Sequence, residues 1–331
     1  MTSQDRVLRV GTRGSALARW QTDRVCQALQ DAGCRTEILE IRTTGDLAPE
    51  TPISRLADPA LFTRQLDEAM LAGRIDLAVH SLKDLPTGLP AGITLAAVSA
   101  REDARDALVT RDGSGFGSLP PGARIATSSL RRRAQLLQAR PDLEVVEVRG
   151  NVDTRLAKLD RDPAVAATML AVAGLVRLGL AHRIAERLPL SLMLPAPGQA
   201  ALAITARAED AGGIQAARRA VHHVPAELAV GAERALLHAL EGGCEVPVAA
   251  YGEIVDPGSL AAGGTATVLR LRARVVSLDG RRVVEGQLVQ PVSALADALA
   301  VGEQLAERLK ADGASQILDE LSTRTGGGAA C

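Results

Sequence analysis

Aromatic residues are nearly absent from this chain. They make up 1% of its 331 residues, namely Trp20, Tyr251, Phe62 and Phe116. A binding pocket that works by stacking ligand rings on aromatic side chains is therefore not expected. Lysine is almost as scarce, with only Lys83, Lys158 and Lys310. Arginine is therefore the main cation. Biased codon usage would explain this, and so would a need for arginine side chains whose planar guanidinium groups bind carboxylates.

Paired cysteines and long apolar segments are also missing. The four cysteines are Cys26, Cys34, Cys244 and Cys331, and none belongs to a C-x-x-C motif, so neither a metal site nor a thioredoxin-like motif is expected. The N-terminal stretch MTSQDRVLRV has no apolar signal core. The longest apolar run, Ala164–Val176, is too short for a bilayer and indicates buried core. These features favour a cytoplasmic protein without a membrane partner.

A strong overall charge is lacking too. The net charge is −1, so the chain as a whole has no electrostatic preference for nucleic acid. Neither G-x-G-x-x-G nor G-x-x-x-x-G-K-[ST] occurs, which argues against a standard nucleotide-binding loop. The length predicts two or three domains. Any anion must therefore be bound by local groups of charge.

Strand and helix patterns alternate through the first two thirds of the chain. Short apolar strands are predicted at Val7–Val10, Thr36–Arg42 and Ile75–His80, and the pattern restarts at Arg124–Thr127 and Glu144–Arg149. Helical patterns separate them, and a proline-dotted loop without periodicity covers residues 49–59. This alternation predicts an α/β fold with mainly parallel sheets.

The region after about residue 220 has a different pattern. A helix at Glu227–Leu240 precedes the strands Val246–Gly252, Thr267–Leu278 and Arg282–Leu288, and a helix at Ala294–Ala311 follows. Asp279-Gly280 is a hairpin turn signal between the last two strands. A small α+β domain is predicted here, with a disordered tail.

Three predicted strand-to-helix junctions combine hydroxyl groups, glycines and arginines. They contain Arg13 and Ser15, then Thr127, Ser129, Arg131 and Arg132, and finally Arg149 and Gly150. Free N–H groups at a helix N-terminus attract anions. Simple helix capping would explain one such junction, whereas three in one chain favour binding of a carboxylate or phosphate.

A polar segment follows the predicted strand Ile75–His80. Ligands in open α/β sheets collect at the carboxyl ends of strands. Asp84 could therefore stabilise a cation or accept from an N–H, and Lys83 could hold an anion; a solvated Lys-Asp loop pair is an equal alternative. His80 has the pattern of a satisfied core histidine.

Cys244 follows two glycines in the stretch HALEGGCEVP. A buried structural thiol is one interpretation of this cysteine. Its glycine-rich setting supports another, a displayed nucleophile that could attach a group covalently. The residues alone leave both open.

Seven stretches occur in an order that resembles the porphobilinogen deaminase family, also called hydroxymethylbilane synthases. They are SLKDLP, TSSLRR, LRRRAQLL, VRGNVDTRLAKL, AVAGLVRLGL, LPAPGQ and ERALLHALEGGCEVP. The resemblance runs from about Val7 to Leu321. It implies that four porphobilinogen molecules are joined head to tail on a dipyrromethane cofactor, with release of ammonia at each step and final hydrolysis. It also implies that the cofactor is bonded as a thioether to Cys244.

The family fold implies two lobes like those of periplasmic binding proteins, plus a small C-terminal α+β domain. The expected boundaries are residues 1–99 with 200–219 for domain 1, 100–199 for domain 2 and 220–325 for domain 3. Residues 326–331 are expected to form a flexible tail. A monomer is expected.

The resemblance also assigns roles to individual residues. Asp84 matches the family's catalytic aspartate, which stabilises the cationic azafulvene formed when ammonia leaves. Matches to cofactor-binding positions are Ser81, Lys83, Asp84, Thr127, Ser129, Arg131, Arg132, Arg149 and Gly150. Matches to substrate-binding positions are Arg13, Ser15, Gln21, Arg149, Arg155, Arg177 and Gln199.

Three departures from the family pattern lie near the expected hinge or lid. The stretch Ala57–Phe62 lacks the family's lysine, the usual G-Q-G ends in Ala200, and Thr205 replaces a frequent acidic residue. We hypothesise that these changes alter chain handling more than bond formation. The alternative function is a two-lobed anion- or pyrrole-binding protein without catalysis.

Overall fold

The computed structural model describes residues 6–43, 63–240, 246–255 and 267–326, with backbone alone for 322–326. The predicted loop at residues 49–59, Pro59 within it, Cys244 and nearly all of the predicted 326–331 tail lie outside these ranges. Helices and strands are numbered along the chain below.

The first sheet has five strands. They are β1 (Val7–Thr12), β2 (Arg35–Glu40), β3 (Leu77–Ser81), β4 (Ile93–Val98) and β10 (Leu202–Arg207). Their order is β2-β1-β3-β10-β4. Strand β1 is parallel to β2 and β3, while β10 runs antiparallel to both of its neighbours. The carboxyl ends of β1 and β3 therefore lie at one edge of the sheet.

Three helices accompany this sheet: α1 (Ala16–Asp31), α2 (Arg64–Leu71) and α6 (Ala211–Val221). Leu29 and Val25 of α1 pack with Leu77 and Ile204 of the sheet in one apolar core. The short helix α2 buries Leu66 and Met70 against Ile75 in a second cluster. Burial of these side chains holds the helices on the sheet faces.

The second sheet repeats the arrangement. Its strands are β5 (Asp106–Thr110), β6 (Arg124–Ala126), β7 (Glu144–Val146), β8 (Ala167–Ala171) and β9 (Glu186–Arg187). Their order is β7-β6-β8-β5-β9, with β6 parallel to β7 and β8 and with β5 antiparallel to β8 and β9. Helices α3 (Leu130–Ala139), α4 (Val152–Arg161) and α5 (Val172–Arg177) are the next elements after β6, β7 and β8, respectively.

A smaller unit completes the described chain. It contains the antiparallel strands β11 (Val248–Val255), β12 (Val268–Val276) and β13 (Val283–Pro291). Its helices are α7 (Val224–Ala239), α8 (Leu295–Ala311) and α9 (Ala314–Gly326). Alternate residues of β12 are buried, as the period of a one-sided strand requires. Helix α7 packs on both α8 and β11.

The predicted fold class is confirmed: two α/β units with mixed sheets and a small α+β unit. Sequence patterns missed β4, β5, β9, β10, α6 and α9. The predicted strands at Val7–Val10 and Arg124–Thr127 match β1 and β6 to within two residues. The exact domain boundaries stay a prediction.

Candidate active site

Asp84 lies in a single turn of 3₁₀ helix, Leu82–Asp84, that continues β3. Leu82 is fully buried, and its backbone N–H donates to the carbonyl of Ala201 at 3.0 Å. Lys83 and Asp84 remain partly exposed. The buried leucine therefore fixes the turn at the edge of the first sheet, where the sequence predicted a ligand.

Ser81 and Gln21 join the same turn to helix α1. Gln21 is buried and its Nε2 donates to Ser81 Oγ at 2.9 Å. The predicted site residues Ser81 and Gln21 thus lie next to one another. This bond gives the Gln21 amide a protein partner, and its predicted contact with substrate stays a prediction.

Lys83 reaches from the first α/β unit toward the second. Its Nζ donates to Gln199 Oε1 at 3.2 Å, while Gln199 Nε2 donates to Asp106 Oδ1 at 2.9 Å and to the Ala104 carbonyl at 2.7 Å. Burial lowers the pKa of Lys83 to about 8, against the opposing effect of Asp84. The fully buried Gln199 therefore orients Lys83.

Asp106 is the acidic residue that sequence analysis missed. It is fully buried at the start of β5, and its carboxylate accepts from Arg131 Nη1 at 2.6 Å and from Arg132 Nη2 at 2.7 Å. Burial alone would raise the pKa of Asp106, but attraction to both arginines outweighs burial and holds that pKa well below its usual range. The available signal was a carboxylate directly before the apolar residues Ala107, Leu108 and Val109 of strand Asp106–Thr110.

This pairing changes the expectation for Arg131 and Arg132. Both side chains are buried, and they also donate to the carbonyls of Leu194 and Met169, respectively. Their predicted role toward a cofactor stays a prediction, and several of their N–H groups are used by these protein acceptors. Their charges nevertheless lie close enough to Lys83 to lower its pKa.

The junction between β7 and α4 supplies two further arginines. Arg149 Nη1 is buried with no hydrogen-bond partner among the residues that the structure describes. Arg155 Nε donates to the Gly150 carbonyl at 2.8 Å. Burial, together with the charges of Arg132 and Arg149, lowers the pKa of Arg155 to about 10, and Asp84 opposes this shift. Arg155 therefore lies within electrostatic range of both Asp84 and Arg149.

Gly150 is required by the shape of this junction. Its φ of 111° is one that residues with a Cβ rarely adopt, and a Cβ here would lie 2.5 Å from Thr154 Cγ2. The glycine thus allows the chain to turn tightly between Arg149 and the start of α4.

The other two predicted junctions are capped by serine hydroxyls. Ser15 Oγ accepts from the Ala18 N–H at 3.3 Å, and Ser129 Oγ accepts from the Arg132 N–H at 3.5 Å. Thr127 is buried, and its Oγ1 accepts from the Ser129 N–H at 3.2 Å. Both junctions therefore have the helix caps that the sequence offered as the simpler interpretation, while anion binding there stays a prediction.

Arg13 lies near the end of β3, since its charge contributes to a depressed pKa at His80. Burial is the main cause, and together they lower the pKa of His80 to about 4. His80 Nε2 lies 3.2 Å from Thr205 Oγ1 inside the sheet, as expected for a satisfied core histidine. Thr205 itself, one of the three departures, is fully buried.

Arg177 contacts protein groups from three parts of the chain. Its Nε donates to Glu102 Oε1 at 3.0 Å, its Nη2 donates to the Ala200 carbonyl at 2.7 Å, and its guanidinium lies 5.8 Å from the Trp20 ring centroid. Ala200, another of the three departures, has a φ of 76°, which residues with a Cβ rarely adopt. The contacts place Arg177 at a junction of elements, and substrate binding by it stays a prediction.

The described parts of the chain contain neither a metal-binding cluster nor a membrane-spanning helix. Within them, no group of three or more His, Cys, Asp or Glu side chains could hold a metal ion. Over the same ranges, no helix has the length and apolarity needed to cross a membrane.

The site therefore combines one partly exposed carboxylate, Asp84, with an excess of cations. Lys83, Arg132, Arg149 and Arg155 all influence one another or Asp84 electrostatically. Such a group suits a ligand with several carboxylates, because charge-assisted hydrogen bonds are strong where water is excluded. Asp84 can at the same time accept an N–H or stabilise a positive charge.

Comparison with protein families gives two matches that together cover most of the chain. Residues 8–215 match the family model described as porphobilinogen deaminase, dipyromethane cofactor binding domain. Residues 227–311 match the model described as porphobilinogen deaminase, C-terminal domain.

Solved structures similar to this chain include two binding proteins. The methionine-binding protein MetQ is 13% identical with a TM-score of 0.41, covering 65% of this chain and 89% of that one. An ABC transporter periplasmic substrate-binding protein from Coxiella burnetii is 16% identical with a TM-score of 0.43, covering 66% and 93%. The family assignment rests on sequence similarity alone.

Curated relatives are similar over nearly their whole length. The porphobilinogen deaminase of Rubrobacter xylanophilus is 50% identical, covering 93% of this chain and 95% of the relative. That of Moorella thermoacetica is 44% identical, covering 96% and 98%. With both family models and relatives at this level of identity, the chain belongs to the porphobilinogen deaminase family.

Proposed function

We propose that this chain joins four porphobilinogen molecules head to tail on a dipyrromethane cofactor, releases ammonia at each step and hydrolyses the product to hydroxymethylbilane. The observation that carries this proposal is the partly exposed carboxylate of Asp84 within electrostatic range of Lys83 and Arg155, beside the further cations Arg132 and Arg149. Porphobilinogen carries acetate and propionate groups, so each added unit brings more carboxylates to such a site.

The residues present fit a dipyrromethane. Arg149 has a buried, unpartnered Nη1 in the described structure, and an unmet buried donor costs free energy unless a ligand supplies an acceptor. Arg155 and Lys83 are cations whose pKa values are lowered by burial, so a nearby carboxylate would restore their preference for the charged form. When bound, the dipyrromethane supplies the pyrrole carbon to which the first substrate unit is joined.

We assign Asp84 the main catalytic role. Its carboxylate accepts hydrogen bonds from pyrrole N–H groups and stabilises the positive charge that develops as ammonia leaves. Ser81, Lys83, Thr127, Ser129, Arg149 and the Gly150 backbone bind cofactor groups in this proposal. Arg13, Ser15 and Arg155 bind substrate carboxylates, with Arg149 shared between both.

The residues with protein partners have a more indirect place in the proposal. Arg131 and Arg132 reach the ligand only through donors that remain after their bonds to Asp106. Gln21, Gln199 and Arg177 orient Ser81, Lys83 and the junction near Ala200. Direct contacts from these five to cofactor or substrate belong to the proposal.

Cys244 is the proposed attachment point, through a thioether. Helix α7 ends at Ala239, so the chain leads from this helix to the cysteine within five residues. We further propose a cytoplasmic monomer with domains at residues 1–99 with 200–219, 100–199 and 220–325, and with no nucleic acid or membrane partner.

The denatured intact mass tests the cofactor. We expect an excess of two pyrrole units over the sequence mass, and its loss in Cys244→Ser. The control is Cys34→Ser, which changes a partly exposed thiol in the first α/β unit. A bare sequence mass after incubation with porphobilinogen would contradict the proposal.

Asp84→Asn tests the catalytic role. Loss of one preorganised electrostatic group lowers turnover by about 10²- to 10³-fold in other enzymes, and we expect at least that here. The covalent mass and the thermal midpoint should stay close to those of the parent chain. Asp112→Asn, an exposed control in the second α/β unit, should turn over normally. Near-normal turnover by Asp84→Asn would remove Asp84 from this role, whereas absence of turnover by the parent chain would favour the non-catalytic pyrrole-binding alternative.

A further inference from the structure

Helix α7 is hydrogen-bonded to the segment that follows Asp84. The guanidinium of Arg234, on this helix, donates to three consecutive backbone carbonyls: Leu85 at 3.0 Å, Pro86 at 2.6 Å and Thr87 at 3.2 Å. A guanidinium carries five N–H donors in a fixed plane, so one side chain can hold several carbonyls at once. Leu85 is the residue next to Asp84.

An apolar contact supports the same arrangement. Leu82 and Leu85 are buried in one cluster with Ala226 and Val230 of α7. The turn that carries Lys83 and Asp84 is thus bounded by two leucines that pack on this helix. Thr87 Oγ1 also lies 3.4 Å from Nδ1 of His238, one helical turn beyond Arg234.

The same helix leads to the proposed cofactor attachment. Arg234 lies within α7, and Cys244 comes five residues after its last residue, Ala239. One rigid element therefore contacts the segment beside Asp84 and begins the connection to the attachment cysteine. A rigid helix transmits position along its length better than a loop does.

We propose that Arg234 is a positioning residue that fixes Asp84 relative to the helix leading to Cys244. It acts through the backbone of residues 85–87 and does not touch substrate. This inference rests on the proposed function. A misplacement of about 1 Å at a reacting group can cost roughly 10²-fold in rate, so loss of this contact should lower kcat rather than weaken substrate binding.

The test compares holoenzyme variants Arg234→Ala and Arg234→Lys with the parent chain. Arg308→Ala is the matched control, because Arg308 is an exposed arginine on α8. Three quantities are measured: kcat and KM well below the thermal midpoint, the denatured intact mass, and amide hydrogen exchange of a peptide covering residues 82–89. Exchange is the readout that does not depend on activity.

For Arg234→Ala we expect kcat to fall about 10- to 100-fold with KM within about twofold, the two-pyrrole mass to remain, and exchange to accelerate locally in residues 82–89. Arg234→Lys keeps the charge but cannot span three carbonyls, so its kcat and its exchange rate in residues 82–89 should lie between those of Arg234→Ala and the parent chain. If Arg234→Ala does not fold, the Arg234→Lys variant alone tests the inference. Unchanged kcat and exchange would overturn the inference, and so would faster exchange spread over the whole chain. A parent chain lacking the two-pyrrole mass would instead defeat the proposed function, while its exchange data would still test the contact.

Discussion

Lys83 lies close to other positively charged side chains. Its ammonium donates to Gln199, and Arg131 and Arg132 lie close enough to affect its pKa. Burial is the main reason that this pKa falls to about 8, while the carboxylates of Asp84 and Asp106 oppose the shift. The charge of Lys83 is therefore held only below about pH 8 in the absence of a ligand. A bound carboxylate would extend that range upward.

Competitive labelling of amines should detect the lowered pKa of Lys83. The chain has three lysines, so each can be followed by mass spectrometry after brief acylation at a series of pH values. The Cys244→Ser variant should carry no cofactor. In this variant we expect the reactivity of Lys83 to rise with pH, with a midpoint near pH 8. The exposed Lys158 serves as the reference for reagent reactivity.

The same shift has a consequence for stability. An unfolded lysine has a pKa of about 10.4, so between about pH 8 and 10.4 the unfolded chain binds more protons at this position than the folded chain. The Lys83 contribution to the free energy of unfolding should therefore rise with pH across that window. Lys83→Met should flatten this rise, and a labelling midpoint near 10 would contradict the assignment.

Single residues show how far the sequence could predict the site. The segment containing Lys83 and Asp84 was predicted because polar residues after an apolar strand indicate a strand end. Asp106 was not predicted, because its partners lie 25 and 26 positions away in the chain and meet it only in the folded core. Charge pairing of this kind depends on tertiary packing, which local patterns do not encode.

At the scale of elements, strands with local partners were predictable and returning strands were not. β1, β3 and β6 are apolar and are followed by polar turns, which gives a clear pattern. β10 pairs with β3 and β4, more than 100 residues earlier, and its insertion is invisible to local periodicity. β9 has only two residues, too few for any pattern.

The hairpin between β12 and β13 shows the same limit. The dipeptide Asp279-Gly280 correctly predicted the turn of this hairpin. The close contact between the turn and helix α3, in contrast, could not be predicted from the sequence. Gly280 has a φ of 76°, and a Cβ there would lie 2.4 Å from the Gln138 backbone nitrogen. The small C-terminal unit therefore touches the helix whose first turn contains Arg131 and Arg132.

Gly280→Ala tests this close approach. Gly113→Ala is a matched control, since Gly113 has a φ of 78° and no atom within 4 Å of its would-be Cβ. The control should cost about 1 kcal/mol of unfolding free energy from backbone strain alone. Gly280→Ala should cost about 1–3 kcal/mol more, because α3 must move. Equal losses in urea denaturation would show that the hairpin and α3 separate freely.

At the scale of the molecule, one buried ion pair joins the C-terminal unit to the segments that connect the two α/β units, between β4 and β5 and between β9 and β10. Glu233 on α7 is fully buried and accepts from Arg101 Nη1 at 2.6 Å. The same carboxylate accepts from the N–H groups of Gly198 and Gly252, each at 2.6 Å. Arg101 also donates to the Gln199 carbonyl at 2.8 Å and lies 4.9 Å from the Tyr251 ring centroid.

Glu233→Gln should loosen this junction. One carboxylate oxygen becomes an NH₂ group that faces donors, and Arg101 keeps a charge that is no longer neutralised. Breaking a buried pair in this way costs about 3–5 kcal/mol. Because the lost contacts lie between units rather than inside any one core, we expect calorimetry to show the C-terminal unit melting in a separate, earlier transition. Glu144→Gln removes an exposed partner of Arg124, 3.3 Å away, and should keep the parent profile. A Glu233→Gln variant with that same profile would mean that the three units cooperate through other contacts, and the boundary proposed near residue 220 would lose its physical basis.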